Sequence, residues 1–205
     1  MINMIVLACG RSLPGTPKLL TCNAPFDNNT FIILEAKFRL LENPTTPPTH
    51  PEEGMQESNY RENVGIMLID DHHQILVGEA YHYPGEWQMP QGGVEINESA
   101  EQALWRELAE ETGICQQQTT LLGRYPGWLY YTLRVPLTHN GSVFLGQKQT
   151  WFLLSYNGPI PDINQIPEKE FLQFDRTSPE WLLERTPAVK LPTYTALFDY
   201  FLSPR

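Results

Sequence analysis

Apolar and polar positions along the chain alternate between short extended runs and polar turns. Residues 64–69 and 74–77 are apolar runs separated by the polar residues 70–73, which predicts two strands joined by a turn. Residues 87–89 predict a third strand, which ends in a flexible loop at 90–93. Further strands are predicted at 129–135, at 150–155 and around 171–174.

Residues 99–112 predict a long helix. They are rich in helix formers, begin with Ser99 as a cap and a glutamate close behind it, and are followed by Gly113, the usual residue past a helix end. Two more helices are predicted at 179–185 and 192–202. Strands that flank one strong helix, with helices at the end of the chain, predict an α/β layered domain.

Residues 1–54 differ from the rest of the chain. Four prolines between residues 43 and 54 exclude a helix or a central strand, which indicates a linker. Before it, residues 31–42 predict a short helix or an edge strand that cannot form a core alone. Because the segment from Met55 is typical of a protein start, residues 1–54 are either an appended arm or an upstream reading of the gene. We therefore predict the boundaries 1–54 for the arm and linker and 55–205 for the domain.

The net charge of the chain limits the kinds of partner and substrate that it can attract. The chain has 24 acidic and 14 basic residues, a formal net charge of −10, so bulk attraction to nucleic acid is excluded. An anionic substrate must be met locally, by a metal or by a few placed cations. The longest apolar runs are far shorter than the roughly 20 residues of a membrane span.

The residues before Arg11 and the pattern of cysteines predict the cellular compartment of the protein. No basic residue precedes Arg11, so the basic region of a secretory signal is missing. The three cysteines, Cys9, Cys22 and Cys115, have no CxxC spacing, which argues against a disulfide framework or a structural zinc site. These features predict a cytoplasmic protein without a membrane partner.

Three glutamates of the predicted helix carry the candidate chemistry. Glu107, Glu110 and Glu111 share one helix face, where like charges repel by a few tenths of a kcal/mol per pair. Their oxygen ligands suit Mg²⁺ or Mn²⁺, which bind carboxylates together with substrate phosphates. Arg106 is a planar fork able to orient these carboxylates, and Glu98 lies within reach of the first turns of the helix.

The spacing of these residues resembles the Nudix signature at every position. Gly92 is followed by five residues, Glu98, seven residues and then the unbroken stretch 106–114. The resemblance implies an α/β/α sandwich with a mixed β-sheet and a loop-helix-loop box, and a hydrolase that cleaves a diphosphate linked to another moiety. It also implies that Glu107, Glu110 and Glu111 bind more than one divalent ion. By the same resemblance, bracing and loop-shaping roles fall to Glu98, Arg106, Gly92, Gly93 and Gly113.

Further likeness, over residues 58–202, points to the branch of RNA 5′-pyrophosphohydrolases and dinucleoside polyphosphate hydrolases. It rests on residues 60–61, 64–65, 87–93, 128–131, 146–152 and 170–171. The resemblance implies that Glu170 is an additional metal ligand or base, and that Tyr131 stacks on a purine. The attacking water then loses its proton to Glu110 or Glu170, and the sequence leaves both open. The predicted substrate-binding residues are Arg61, Trp128, Tyr131, Gln147 and Lys148.

The substrate prediction follows from the few cations near these motifs. A long RNA would find few phosphate contacts, so dinucleoside polyphosphates such as diadenosine tetraphosphate are favoured. The alternative is an RNA 5′-pyrophosphohydrolase that engages only the first nucleotides. A nucleotide-sugar pyrophosphatase and a non-catalytic nucleotide-sensing module are the minor alternatives, and the oligomeric state stays open.

Overall fold

The computed structural model describes residues 48–167 and 169–203. Three α-helices are present in this part of the chain: α1 (Ala100–Thr112), α2 (Pro179–Arg185) and α3 (Leu191–Leu202). The eight strands are β1 (Tyr60–Ile69), β2 (Ile75–Ala80), β3 (Trp87–Gln88), β4 (Gln91–Gly93), β5 (Thr120–Arg124), β6 (Leu129–His139), β7 (Ser142–Ser155) and β8 (Phe171–Thr177). Short 3₁₀ helices lie at Glu57–Asn59, Gln116–Gln118, Ile163–Gln165 and Ala188–Lys190.

All eight strands form one mixed sheet. Its centre is the parallel pair β1 and β7, in register from Tyr60 opposite Gly146 to Ile69 opposite Ser155. The other pairings are antiparallel: β2 and β4 pair with β1, β3 and β8 pair with β2, and β5 and β6 pair with β7.

Apolar side chains cover both faces of the sheet. On one face, Leu104 and Leu108 of α1 pack with Val64 and Ile66 of β1. On the other face, α3 packs against Trp151 and its neighbours on β7. Burial on both faces accounts for the nearly continuous apolar run of β1, since a strand covered on two sides needs no alternation. The helices on both faces confirm the predicted α/β/α sandwich.

Most predicted elements are confirmed, with three corrections. The segment predicted as a flexible loop at 90–93 contains β4, a short strand paired with β1. Strand β5 was not predicted, because its leucines Leu121 and Leu122 are exposed and give no alternating pattern. Strands β6 and β7 are longer than predicted and form a hairpin whose turn contains Asn140 and Gly141.

Residues 48–57 contact the rest of the domain. The Tyr130 amide donates to the Pro48 carbonyl at 2.6 Å, and the Glu52 amide donates to the Tyr60 hydroxyl at 3.0 Å. The predicted helix or edge strand at 31–42 lies outside the described residues. The domain boundary at residue 55 stays a prediction.

Among the described residues, no helix has the length and apolar character needed to cross a membrane.

Candidate active site

Helix α1 presents the predicted carboxylates, and both of its ends are capped. The Ser99 hydroxyl accepts a hydrogen bond from the Gln102 amide at 3.2 Å, and the Gln102 side chain accepts one from the Ser99 amide at 2.8 Å. At the other end, Gly113 has φ +70°, which a residue without Cβ adopts at little cost. The capped ends hold the helix that carries Glu107, Glu110 and Glu111.

Strand β4 brings its backbone close to two side chains of the site at two glycines. A Cβ on Gly92 would lie 1.8 Å from the carboxyl carbon of Glu107, and a Cβ on Gly93 would lie 2.0 Å from Nη2 of Arg61. Any larger residue would therefore push the Glu107 carboxylate or the Arg61 guanidinium away. The two predicted box glycines act here through close approach, because both have ordinary strand backbone.

Arg106 ties three glutamates together. Its guanidinium donates to both carboxylate oxygens of Glu98 at 2.8 Å, to Glu107 at 2.7 Å and to Glu110 at 2.9 Å. It also donates to the Gly93 carbonyl at 2.7 Å. The Arg106 hydrogen bonds hold the pKa of Glu98 below its usual value despite partial burial. Arg106 therefore offsets part of the repulsion on this helix face.

Glu111 is fixed in the site by burial and by a backbone hydrogen bond. It is buried, and one of its oxygens accepts a hydrogen bond from the Gln91 amide at 2.8 Å. Burial raises its pKa well above the usual value, against the lowering effect of that hydrogen bond, and burial also raises the pKa of Glu107. Two buried carboxylates with raised pKa values need a nearby positive charge if both are to be ionised.

Four glutamates line one cavity of about 270 Å³: Glu107, Glu110, Glu111 and Glu170. Glu170 reaches it from the start of β8, so two distant parts of the chain supply these carboxylates. Within the described residues, no three acidic, histidine or cysteine side chains are already gathered as a metal site, and Glu107 and Glu110 are hydrogen-bonded to Arg106. The donor set is all oxygen and strongly acidic, which fits a hard divalent cation such as Mg²⁺ or Mn²⁺.

A second cavity, of about 250 Å³, adjoins the first. The two share the lining residues Gln88, Gln91, Gln147 and Glu170. Each volume is below the roughly 300–1,000 Å³ of ligand sites, and the two adjoining cavities together come within that range. The second cavity also carries Tyr131, Arg134 and Lys190.

Lys190 is a candidate site residue that sequence reasoning missed. It is 6% exposed, and its ammonium donates to Oε1 of Gln91 at 2.8 Å and to Oε1 of Gln88. Burial lowers its pKa from an ordinary 10.5 to about 7, opposed by the charge of Glu111. The signal available in the sequence was its position, a lone lysine among apolar residues just before a helix.

Tyr131 lies beside Lys190 and is only 6% exposed. Its hydroxyl donates to Gln147 at 2.5 Å and accepts from Gln91 at 3.2 Å. Its ring centroid is 5.8 Å from Nζ of Lys190. Burial raises its pKa, so the phenol stays protonated. The structure therefore brings Tyr131 and Gln147 to the wall of the second cavity.

Lys148 and Trp128 lie elsewhere. The Lys148 ammonium pairs with Glu57 at 2.9 Å and Glu62 at 2.8 Å, and it stands 5.0 Å from the Trp128 ring centroid. Because side chains alternate along β7, Lys148 points to the opposite face of the sheet from Gln147. Lys148 lines a third cavity, of about 830 Å³.

Arg61 lies at the boundary between the carboxylate cavity and the cavity of about 830 Å³. Its guanidinium pairs with Glu95 at 2.9 Å and is 3.2 Å from Nε2 of His139. Of the five predicted substrate residues, Arg61 and Gln147 line the carboxylate cavity, Tyr131 lines the adjoining one, and Lys148 and Trp128 line neither.

Comparison with known proteins adds an independent line of evidence. Residues 59–197 match the model of the NUDIX domain family. A protein of Arabidopsis thaliana named Nudix hydrolase 26, chloroplastic, is 33% identical over 153 residues, which cover 70% of this chain and 70% of that protein. A protein of Rhodospirillum rubrum named RNA pyrophosphohydrolase is 44% identical over 107 residues, which cover 51% of this chain and 64% of that protein.

A solved structure supports the same fold. The crystal structure of a binary complex of a Caenorhabditis elegans Ap4A hydrolase superposes with a TM-score of 0.51 at 19% identity, over 69% of this chain and 97% of that one. At this identity the likeness concerns the fold alone.

Proposed function

Because the chain belongs to the Nudix family of hydrolases, we propose that it cleaves nucleoside polyphosphates with a divalent metal, and that dinucleoside polyphosphates such as diadenosine tetraphosphate are its substrates. One observation carries the proposal: four carboxylates line a cavity that shares a wall with a second cavity holding a buried lysine. Carboxylates that bind metal and a cation that meets phosphate are the two parts that hydrolysis of a phosphoric anhydride requires.

Glu107, Glu110, Glu111 and Glu170 would hold Mg²⁺, or Mn²⁺, with more than one ion in the site. When bound, the metal neutralises phosphate charge and lowers the pKa of a water molecule. Arg106 keeps Glu107 and Glu110 on the cavity side of α1, and the Gln91 amide does the same for Glu111.

Lys190 is the cation that meets the polyphosphate in the second cavity. Among the described residues, its ammonium is held by two neutral amide oxygens and by no carboxylate, so it can donate a further hydrogen bond to a phosphate oxygen. A phosphate would also supply the negative charge that favours the protonated form of this buried group. Arg134 lies at the same cavity, paired with Glu86 at 3.0 Å.

Glu170 is the better candidate for the base that takes the proton of the attacking water. It lines both cavities, so it lies where the metal-binding carboxylates and the polyphosphate meet. Glu110 is tied to Arg106 at 2.9 Å, so its carboxylate already accepts a charged hydrogen bond on the helix.

A 5′-triphosphorylated RNA is the second candidate substrate. Curated relatives at 34–44% identity carry the name RNA pyrophosphohydrolase. The two small adjoining cavities would engage an RNA at its first nucleotide, with the remainder outside. The net charge of −10 leaves little attraction for that remainder. A cytoplasmic location stays part of the proposal, supported by the absence of CxxC spacing in the sequence.

The test is product analysis with Mg²⁺ on diadenosine tetraphosphate and, in parallel, on 5′-triphosphorylated RNA. ATP plus AMP from the first identifies a dinucleoside polyphosphate hydrolase, whereas pyrophosphate release from the second identifies an RNA enzyme. EDTA should abolish either activity. A protein that hydrolyses neither substrate, yet binds them, would be a sensing module, and the proposal would fail.

A further inference from the structure

Trp151 begins a chain of hydrogen bonds that runs from the core to the site. Its side chain is fully buried, and its indole N–H donates to Oε1 of Gln149 at 3.1 Å. An indole nitrogen can only donate, so the Gln149 amide must turn its oxygen toward Trp151 and its NH₂ group away. Gln149 is itself 1% exposed, which leaves it no water as an alternative partner.

The NH₂ group of Gln149 in turn fixes the orientation of the Gln91 amide. It donates to Oδ1 of Asn63 at 2.9 Å and to Oε1 of Gln91 at 3.1 Å. Lys190, which also can only donate, donates to the same oxygen of Gln91 at 2.8 Å. Two donors thus fix the direction of the Gln91 amide, and its own NH₂ group faces the Tyr131 hydroxyl at 3.2 Å.

Gln91 connects this chain to both cavities, because it lines each of them. Its side chain holds Lys190 and Tyr131, and its backbone amide holds Glu111 at 2.8 Å. A turned Gln91 amide would present NH₂ to the Lys190 ammonium, and Lys190 would lose one of its two acceptors.

We propose that Gln149 is a positioning residue: its amide direction sets that of Gln91 and thereby places the Lys190 ammonium at the cavity beside the carboxylates. Gln149 acts without touching substrate, since it lines neither cavity. The inference rests on the proposed function, in which Lys190 meets the polyphosphate. It assigns a role in substrate binding to a core amide.

The test is a double-mutant cycle between Gln149→Met and Lys190→Met. Gln149→Met keeps the shape of the side chain and removes both of its polar groups. We expect KM to rise about tenfold, the effect of losing one charged hydrogen bond, with kcat within about twofold. In the Lys190→Met background, Gln149→Met should leave KM unchanged, because its effect passes through Lys190. An equal, additive rise in both backgrounds overturns the proposal.

Thr150→Val is the matched control for lost stability. Thr150 is the next residue of the same strand, is fully buried, and accepts a hydrogen bond from Arg124 at 2.9 Å on the other face. It should lower the thermal midpoint and leave KM unchanged. If Gln149→Met does not fold, Gln149→Glu replaces it: the carboxylate still accepts from Trp151, offers no donor to Gln91, and should raise KM in the same way.

A measurement without substrate separates this proposal from the proposed function. Acetylation by acetic anhydride, mapped by mass spectrometry, reports how firmly each lysine is held. In Gln149→Met, Lys190 should be acetylated several-fold faster, while the exposed Lys169 reacts at its wild-type rate. An unchanged Lys190 rate contradicts the positioning role. A wild-type protein that hydrolyses no polyphosphate contradicts the proposed function and leaves the acetylation result to decide the positioning role.

Discussion

The two faces of the sheet each carry a lysine beside an aromatic ring, and they differ in how charge is balanced. Around Lys148, in the cavity of about 830 Å³, the cations are matched: Lys148 pairs with Glu57 and Glu62, and Arg61 pairs with Glu95. Around Lys190, in the smaller cavities, the partners of the ammonium in the described part of the chain are two amide oxygens, while four carboxylates line the adjoining space. Carboxylates gathered beside a buried lysine, and not volume, mark the site.

Among the substitutions that test this difference between the two faces, we expect the largest loss of activity at the carboxylates. Glu111→Gln should lower kcat by at least about 100-fold, more than is usual for losing an outer partner of a metal ligand. The fold should be kept, because the amide oxygen can still accept from Gln91 and a buried carboxylate with a raised pKa is removed. Steady-state kinetics with Mg²⁺ and thermal unfolding measure the two effects.

The matched control is Glu62→Gln, a glutamate on the Lys148 side. It should change kcat by less than about twofold, since a surface ion pair contributes little. If Glu62→Gln and Glu111→Gln lose activity equally, the two faces do not differ as described.

The lysines give the next largest effect. Lys190→Met should raise KM for diadenosine tetraphosphate by about tenfold or more, because a charged hydrogen bond to phosphate is lost. Lys148→Met, made in parallel, should raise KM by less than about twofold, since its ammonium is already paired with Glu57 and Glu62. A larger effect at Lys148 would return the phosphate-binding role to the lysine predicted from the sequence.

The pH dependence of stability sharpens the comparison further. The pKa of Lys190 is lowered by burial from 10.5 to about 7 in the folded protein. Between these values the unfolded chain binds a proton that the folded chain does not, so stability rises with pH from about 7 to about 10. Thermal unfolding in EDTA should show this rise in the wild type and a flatter profile in Lys190→Met. An identical slope in both proteins would mean that Lys190 is not held as described.

The smallest effect is expected at Glu57. Its hydrogen bond with Lys148 lowers its pKa, but the side chain is 59% exposed. Glu57→Gln should lower the thermal midpoint slightly at low salt and not at high salt, with unchanged kcat/KM. A change in kcat/KM would connect the larger cavity to catalysis.

The sequence predicts the helix of the site well because its information is local. Ser99, Gly113 and the spacing of the glutamates lie within one segment, and cap and periodicity both point to the same helix. The resemblance to a known signature covers the same segment. The opposite wall of the site comes from β7, β8 and the turn before α3. The segment that contains the helix carries no information about that wall.

The predicted roles of Gln147 and Lys148 show what sequence reasoning leaves open. Gln147 and Lys148 were both predicted to bind substrate, yet neighbours on a strand point to opposite faces, so only one of them can face a given cavity. The alternation of side chains along a strand can be predicted from the sequence. The face of the sheet that the site occupies cannot be predicted in this way, because it depends on how α1 and α3 cover the sheet.

The parallel pairing of β1 with β7 has a consequence for how the protein forms during synthesis. The strands at the centre of the sheet are far apart in the chain, from Tyr60 to Gly146 at one end, so their contact closes a long loop and is slow to form. On the ribosome, β1 and α1 emerge well before β7, and the box helix can form its own turns while its wall is still missing. Until β7 arrives, the edge of β1 that pairs with β7 stays open, and this interval is when a chaperone would be of most use.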